Sequence, residues 1–338
     1  MMKRMAFLAV LTSLIGTEVV AIDLSVMQLS IFRVIIIFMA ILMFLNALRI
    51  NEKINLKIKG DNGYSIQVML IWLIYAMITI IWVKDHAEWF KAIYFIGLGV
   101  LCVIMFSKIF KKTDDILTCF RIMTVMIVLH NLIGWYEIRT GSYLFLTATD
   151  RVIKYALQSH PVSMFNNTNN FATFMLMSIF ILYICIANSK TIFGKCVYIG
   201  TMISSSYLLF NTNSRANILG LFLAGAVFVY LSTQNKKWRN IILFFLIGWF
   251  AFFLLTSETL INFTYAIMEK LSFSFSAQTG SDAVRINLIK NGLSFLIDTF
   301  GFGTGAGNIE YWMSNHGTYN TGDIVNMHNW WMEILTGY

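Results

Sequence analysis

Residues 211–239 read NTNSRANILGLFLAGAVFVYLSTQNKKWR. After Arg215 no Asp, Glu, Lys or Arg appears until Lys236. Short polar residues and one arginine mark one end, and Lys236, Lys237 and Arg239 mark the other. An apolar run of about 18 residues, rising about 1.5 Å per residue, reaches across a hydrocarbon core roughly 30 Å thick. Backbone N–H and C=O groups in lipid have to be satisfied within the segment, so such a run is a helix. The stretch therefore reads as one membrane crossing, over 216–233.

Working outward, the same charge-free pattern recurs along the chain. Crossings are expected at about 5–22, 29–48, 66–83, 90–107, 116–135, 171–187, 191–210, 216–233 and 240–256, and a tenth begins near Asn329. Composition agrees. Hydrophobic residues make up 58% and charged residues 12% of the chain, against roughly 25% charged in soluble domains. Mean hydropathy is +0.69. The period-two alternation of a membrane β-barrel is absent. The expected fold is all-α: a polytopic integral membrane protein of 9–10 transmembrane helices, one membrane domain over 1–338. A large extracytoplasmic loop with amphipathic helices is expected over 257–328. The first run lacks a small-x-small cleavage pattern and carries Glu18 near its end, so it reads as a retained helix rather than a signal peptide.

Loop charges set the expected orientation. Starting inside, alternate loops carry fourteen Lys and Arg residues, including Arg49, Lys53, Lys57 and Lys59, whereas the opposite and longer loops carry nine. The amino terminus is thus expected in the cytoplasm and the 257–328 loop outside. The formal net charge of +8 follows from these short basic loops and calls for no nucleic-acid partner. Cys102, Cys119, Cys185 and Cys196 lie in or beside the apolar runs without a Cys-x-x-Cys pair, so neither zinc nor a disulfide framework is indicated.

The informative polar residues cluster on the expected outer side. In NTNSRAN, Ser214 suits a helix N-cap, and Arg215 adds a donor fork suited to phosphate at a helix amino terminus. The same arginine would also suit a lipid headgroup. In VRINLIKNGLSFLIDTF, Arg285 opens a helical pattern, with Leu288, Ile289, Leu293, Leu296 and Phe300 on one face. Asn287, Lys290, Asn291 and Asp298 fall largely elsewhere, and a helix lying on the membrane surface fits. GFGTGAGN follows, reading as a flexible turn rather than a P-loop or dinucleotide fingerprint. In MHNWW, His328 is a residue type that works as a general base near neutral pH, and Trp330 and Trp331 suit an interfacial belt. MFNNTNNFATFML places Asn169 and Asn170 at the approach to another helix, where capping or glycan binding would use them. His130 and Asn131 form a candidate buried polar pair with no assigned role.

The order of these elements is specific. FNNTNNFA, NTNSRANILGL, the arginine with GFGTGAGN, and HNWWMEILTGY together resemble the O-antigen ligase and Wzy-type polysaccharide polymerase family of bacterial membrane glycosyltransferases, over roughly 165–338. The resemblance implies a GT-C-like membrane fold in the bacterial cytoplasmic (inner) membrane and inverting, metal-independent glycosyl transfer without a cofactor. It implies an undecaprenyl-diphosphate-linked glycan donor, a glycan acceptor, and a flippase and chain-length regulator as accessory proteins. By position, Arg215 and Arg285 would hold the diphosphate, and His328 would be the catalytic base. Asn329, Ser214, Asn169 and Asn170 would support them. Polymerisation of repeat units is favoured. Ligation of a finished glycan to lipid A core or protein is the first alternative, and transport of the lipid-linked glycan the second. From Asn329 to Tyr338 a helix covers only about 15 Å, so the tenth crossing is expected to be cut short here.

Overall fold

The structure, a computed structural model, describes residues 1–16, 19–23, 28–50, 62–145, 160–165, 167–256 and 281–338. Glu18, Lys53, Lys57, Lys59, Asn166 and the first part of the expected outer loop, 257–280, lie outside those residues. The chain is mostly helical. In order come α1 (Met2–Thr12), the strand pair β1 (Ala21–Asp23) and β2 (Gln28–Ser30), α2 (Ile31–Ile50), α3 (Asn62–Ile78), α4 (His86–Ile109) and α5 (Thr113–Thr140). They are followed by α6 (Thr168–Ala187), α7 (Ile192–Asn211), α8 (Arg215–Ser232) and α9 (Lys236–Thr256). Among the described residues three carboxy-terminal helices follow: α10 (Ser281–Asp298), α11 (Ile309–His316) and α12 (Trp330–Gly337).

Seven helices among the described residues are long and apolar enough to cross a membrane, α2 to α8. The expected first crossing, 5–22, is corrected. Its helix stops at Thr12, where the Thr12 hydroxyl donates back to the Leu8 and Ala9 carbonyls and Ser13 donates to Val10. Such back-bonding offers the backbone an alternative to the next helical turn. Gly16 then lies so close to the Met164 carbonyl that no side chain would fit there.

Two compact units make up the chain. One comprises Phe7–Ala21 and Lys112–Phe273. Its core is built where α6 packs on α5 and α7, around Ile127, Phe171, Met175, Leu182, Leu208 and Leu209. Polar groups within these apolar helices are paired across the interfaces. His130 and Asn131, adjacent in sequence, serve different partners. His130 Nδ1 meets Ser163 Oγ at 2.8 Å and its Nε2 meets the Leu14 carbonyl at 2.9 Å. Asn131 donates to Ser205 Oγ and accepts from Ser204 Oγ, which also takes the Trp135 indole N–H. Interhelical bonds of this kind contribute about 0.6 kcal/mol each in a membrane. Glu137 fixes the 160–165 segment, its Oε2 accepting from the Val162 and Ser163 N–H groups at 2.8 Å each. Ser163 takes φ +53°, and the carboxylate holds that strained turn in place.

The other unit comprises Met1–Ala6, Ile22–Lys111 and Ser274–Tyr338. Helix α10 packs on α11 and α12 through Leu288, Phe295, Ile309, Met313 and Met327. The expected apolar face of α10 is corrected here. The buried stripe is Leu288, Asn291, Gly292 and Phe295, while Leu293 and Phe300 are exposed. Asn291 is wholly buried because the 317–320 backbone folds over it. Its Oδ1 accepts from the Thr318 and Tyr319 N–H groups and its Nδ2 donates to the Tyr319 carbonyl. Asn291→Ala would strand those backbone groups, at a cost of about 1–3 kcal/mol. Faster proteolytic cleavage between 317 and 329 than in the unaltered chain checks it.

Candidate active site

Helix α8 begins at the end of a tight turn. Asn213 adopts φ +53°, and His160 braces it, its Nδ1 at 2.9 Å from the Asn211 carbonyl and its Nε2 at 3.2 Å from Asn213 Nδ2. With Asn213 donating, Nε2 is the acceptor and Nδ1 carries the proton. Ser214 occupies the N-cap position as expected, yet its hydroxyl does not cap the helix. It donates instead to Asn169 Oδ1 at 2.7 Å and accepts from Asn217 Nδ2 at 2.9 Å. Asn217 continues to Thr173 Oγ1 and to the Asn169 carbonyl, at 3.0 and 3.3 Å. This hydrogen-bonded seam joins the starts of α6 and α8, so Asn169 and Ser214 are brought together. Capping of α6 falls to Asn167, whose side chain accepts from the Asn169 N–H.

Because Ser214 is spent on the seam, the first N–H groups of α8 lack a side-chain cap. Arg215 stands exposed at that amino terminus. Free N–H groups, a positive dipole end and a guanidinium then coincide, an arrangement that favours a phosphate-bearing ligand. Asn170, also exposed, lines an open groove of about 520 Å³ with Thr173 and the apolar Leu14, Met164, Phe165 and Phe174. The groove abuts the seam through Thr173.

In the other unit, Arg285 is exposed in the first turns of α10. His328 sits just before α12, exposed, in the left-handed region at φ +51°. Its backbone N–H donates to Asn326 Oδ1, and Asn326 reaches Glu310 through its Nδ2. Asn329 caps α12, its Oδ1 accepting from the Met332 N–H at 3.2 Å. A non-glycine residue at positive φ carries strain that marks functional segments more often than others. Met327 beside it is buried in the cluster with Leu288 and Phe295 of α10, whereas His328 itself is exposed. Arg285 on α10 and His328 just before α12 thus adjoin helices packed on one another, without a direct bond between them among the described residues. Arg215 belongs to the first unit.

The glycine turn has a use that its sequence does not reveal. Gly301, Gly303, Gly305 and Gly307 all take positive φ, and the last three press against neighbouring chain. A side chain at Gly305 would collide with Val83, and one at Gly307 with the Glu88 carbonyl. Asn308, wholly buried, accepts from the Lys84 and Asp85 N–H groups and donates to the Asp85 and Ala306 carbonyls. Thr79 Oγ1 accepts from the Ala306 N–H, and the Trp82 indole donates to the Gly303 carbonyl. Thr304 N–H reaches the Thr336 carbonyl of α12. The expected flexible turn is therefore a clamp, holding the α3–α4 connection on one side and α12, the helix that follows His328, on the other. Asn308 was missed from sequence; asparagine directly after a glycine run was its one signal.

Residues 200–338 match the family model described as O-Antigen ligase. Over that region the chain is similar to the O-antigen ligase family. The matched region contains Arg215, Arg285 and His328. Along nearly its whole length the chain is also similar to the teichuronic acid biosynthesis protein TuaE of Bacillus subtilis (strain 168). The two are 27% identical over 347 residues, covering 99% of this chain and 70% of the relative. The two similarities together support a membrane enzyme of glycosyltransferase type. No solved structure matches the chain.

Proposed function

We propose that the chain joins undecaprenyl-diphosphate-linked oligosaccharide units into a cell-surface polysaccharide, by inverting, metal-independent glycosyl transfer at the outer face of the cytoplasmic membrane. The observation that carries the reading is His328: an exposed imidazole on a strained backbone, at a capped helix start, within the region that matches the family. On this reading an acceptor hydroxyl attacks the anomeric carbon and its proton passes to His328. The bond from that carbon to the diphosphate oxygen breaks, and the leaving diphosphate takes the electron pair. Charge concentrates on the leaving group, and preorganised donors act most strongly there. Arg215, with the uncapped N–H groups of α8, and Arg285 supply them. The orientation follows from the uneven loop charges, which put the amino terminus in the cytoplasm and these residues outside.

Similarity to a teichuronic acid biosynthesis protein favours chain building. The family's description favours the second reading, transfer of a finished glycan to another acceptor. Purified protein given a lipid-linked repeat unit distinguishes them. A ladder of multiples on a gel supports polymerisation; transfer to a foreign acceptor without lengthening supports ligation and removes the first reading.

Arg215→Ala is expected to lower the rate about 100- to 1,000-fold, the usual loss for one donor to a developing anion. Arg215→Lys should recover part of it, because a lysine keeps the charge but not the fork. Both should express normally, since the side chain is exposed. Equal rates for Arg215→Ala and the unaltered protein would remove the diphosphate role.

A further inference from the structure

The corrected packing of α10 leaves a second apolar face unaccounted for. Ile286, Leu293 and Ile297 recur at helical spacing on the side opposite Leu288 and Phe295, and all are exposed, Ile297 to 76%; Phe300, just past the end of the helix at Asp298, is exposed to 91%. Phe302, in the same turn, is also exposed. A continuous apolar strip of this kind on a folded chain marks a contact surface.

What the strip continues into identifies its occupant. The Phe302 carbonyl accepts from the Tyr75 hydroxyl at 2.9 Å, and its ring lies 6.3 Å from that of Trp82. Tyr75 lies in the last turn of α3 and Trp82 just after the short 3-10 turn that follows it, at the end of a segment long and apolar enough to cross a membrane. Along α3 and the 3-10 turn after it, Ile71, Ile74, Ile78 and Ile81 are exposed at one-turn spacing, an apolar side suited to lipid. The α10 strip therefore begins where the lipid-facing side of a crossing helix ends, at the level where hydrocarbon gives way to headgroups. Lys290 lies within the same strip, its Nζ 5.3 Å from the centre of the Tyr319 ring. A cation on a long stem beside an aromatic ring suits a phosphate headgroup above the acyl chains.

We propose that α10 lies in the bilayer interface, with Ile286, Leu293, Ile297, Phe300 and Phe302 among the upper acyl carbons and Lys290 at the phosphates. The surface is then a lipid-binding face, and α10 is a strap that sets the height of the clamp and of His328 above the membrane. The inference is independent of whether the chain polymerises or ligates.

Nitroxide labels on single cysteines test it, placed by Ile297→Cys or Phe300→Cys in a full chain whose four native cysteines are changed to alanine. The protein is held in nanodiscs of phosphatidylethanolamine and phosphatidylglycerol. Collision rates with oxygen and with a water-soluble nickel chelate are compared at these sites, at Ile71 on the lipid side of α3, and at the exposed Ser314 of α11. The expected oxygen-to-nickel ratio at both test sites approaches that of Ile71 and stands several-fold above that of Ser314. A ratio matching Ser314 overturns the proposal, as does dipolar coupling between labels on two copies, which would make the strip a protein–protein face. A second measurement needs no substitution: phospholipid with a photoreactive group in its acyl chain is irradiated with the unaltered protein. Adducts on the peptide containing residues 293–302 are expected. Adducts on α3 with none on that peptide overturn the proposal.

Discussion

Replacing His328 by asparagine is expected to reduce glycosyl transfer about 100- to 10,000-fold, the range for loss of a positioned general base. Asparagine is the informative choice because it tolerates positive φ better than most residues, so the φ of +51° survives without the imidazole. His328→Gly goes further. Glycine carries no penalty in the left-handed region, so this variant should unfold at a higher temperature, by an amount corresponding to about 1 kcal/mol, while losing transfer equally. Stability and activity moving in opposite directions at one position would separate a chemical role from a packing role. Transfer at the unaltered rate in either variant would sink the base assignment. The exposed side chain makes normal expression the expectation for both.

Gly307→Ala is expected to be among the most destabilising single-methyl changes in the protein. The added carbon meets the Glu88 carbonyl oxygen, a backbone atom that cannot rotate away, and the residue sits at φ +71°. Overpacking costs about 1–3 kcal/mol and the left-handed backbone about 1–2 kcal/mol more. Gly301→Ala supplies the comparison. It shares the positive φ, +81°, but a methyl there meets nothing within 4 Å. Only the backbone penalty applies, so its thermal unfolding in detergent should fall between those of Gly307→Ala and the unaltered protein. Equal shifts for the two would mean that the turn is held by backbone preference alone and clamps nothing.

The contrast between these glycines shows where sequence reasoning runs out. Glycine alternation announces unusual backbone, but the surface against which Gly305 and Gly307 press lies more than two hundred residues earlier in the chain. Membrane crossings are legible because the absence of charge over a helical length is a local property. Arg215 and Ser214 are legible as a helix start for the same reason. The diversion of Ser214 to Asn169, 45 residues away, is not, since many nearby asparagines could have competed for that hydroxyl. Asn291 misled because a helical pattern scores an amide as outward. Here the 318–319 backbone supplies its partners, so its burial becomes favourable. The end of α1 at Thr12 was equally hidden, since apolar residues continue beyond it.

The bonds that close the clamp also impose an order of assembly. Thr79 and Tyr75 find their partners 227 residues further along the chain, and Asp85 finds Asn308 at 223. A chain made at about 5–20 residues per second produces that interval in roughly 10–45 s. During that time α3 and α4 stand in the bilayer with the connection between them unfastened. The α3–α4 turn is therefore a receptor for the enzyme's own later product, and its N–H groups at Lys84 and Asp85 depend on water until Asn308 arrives. Translation stalled before residue 308 should leave membrane-inserted chains whose α3–α4 turn a protease still reaches.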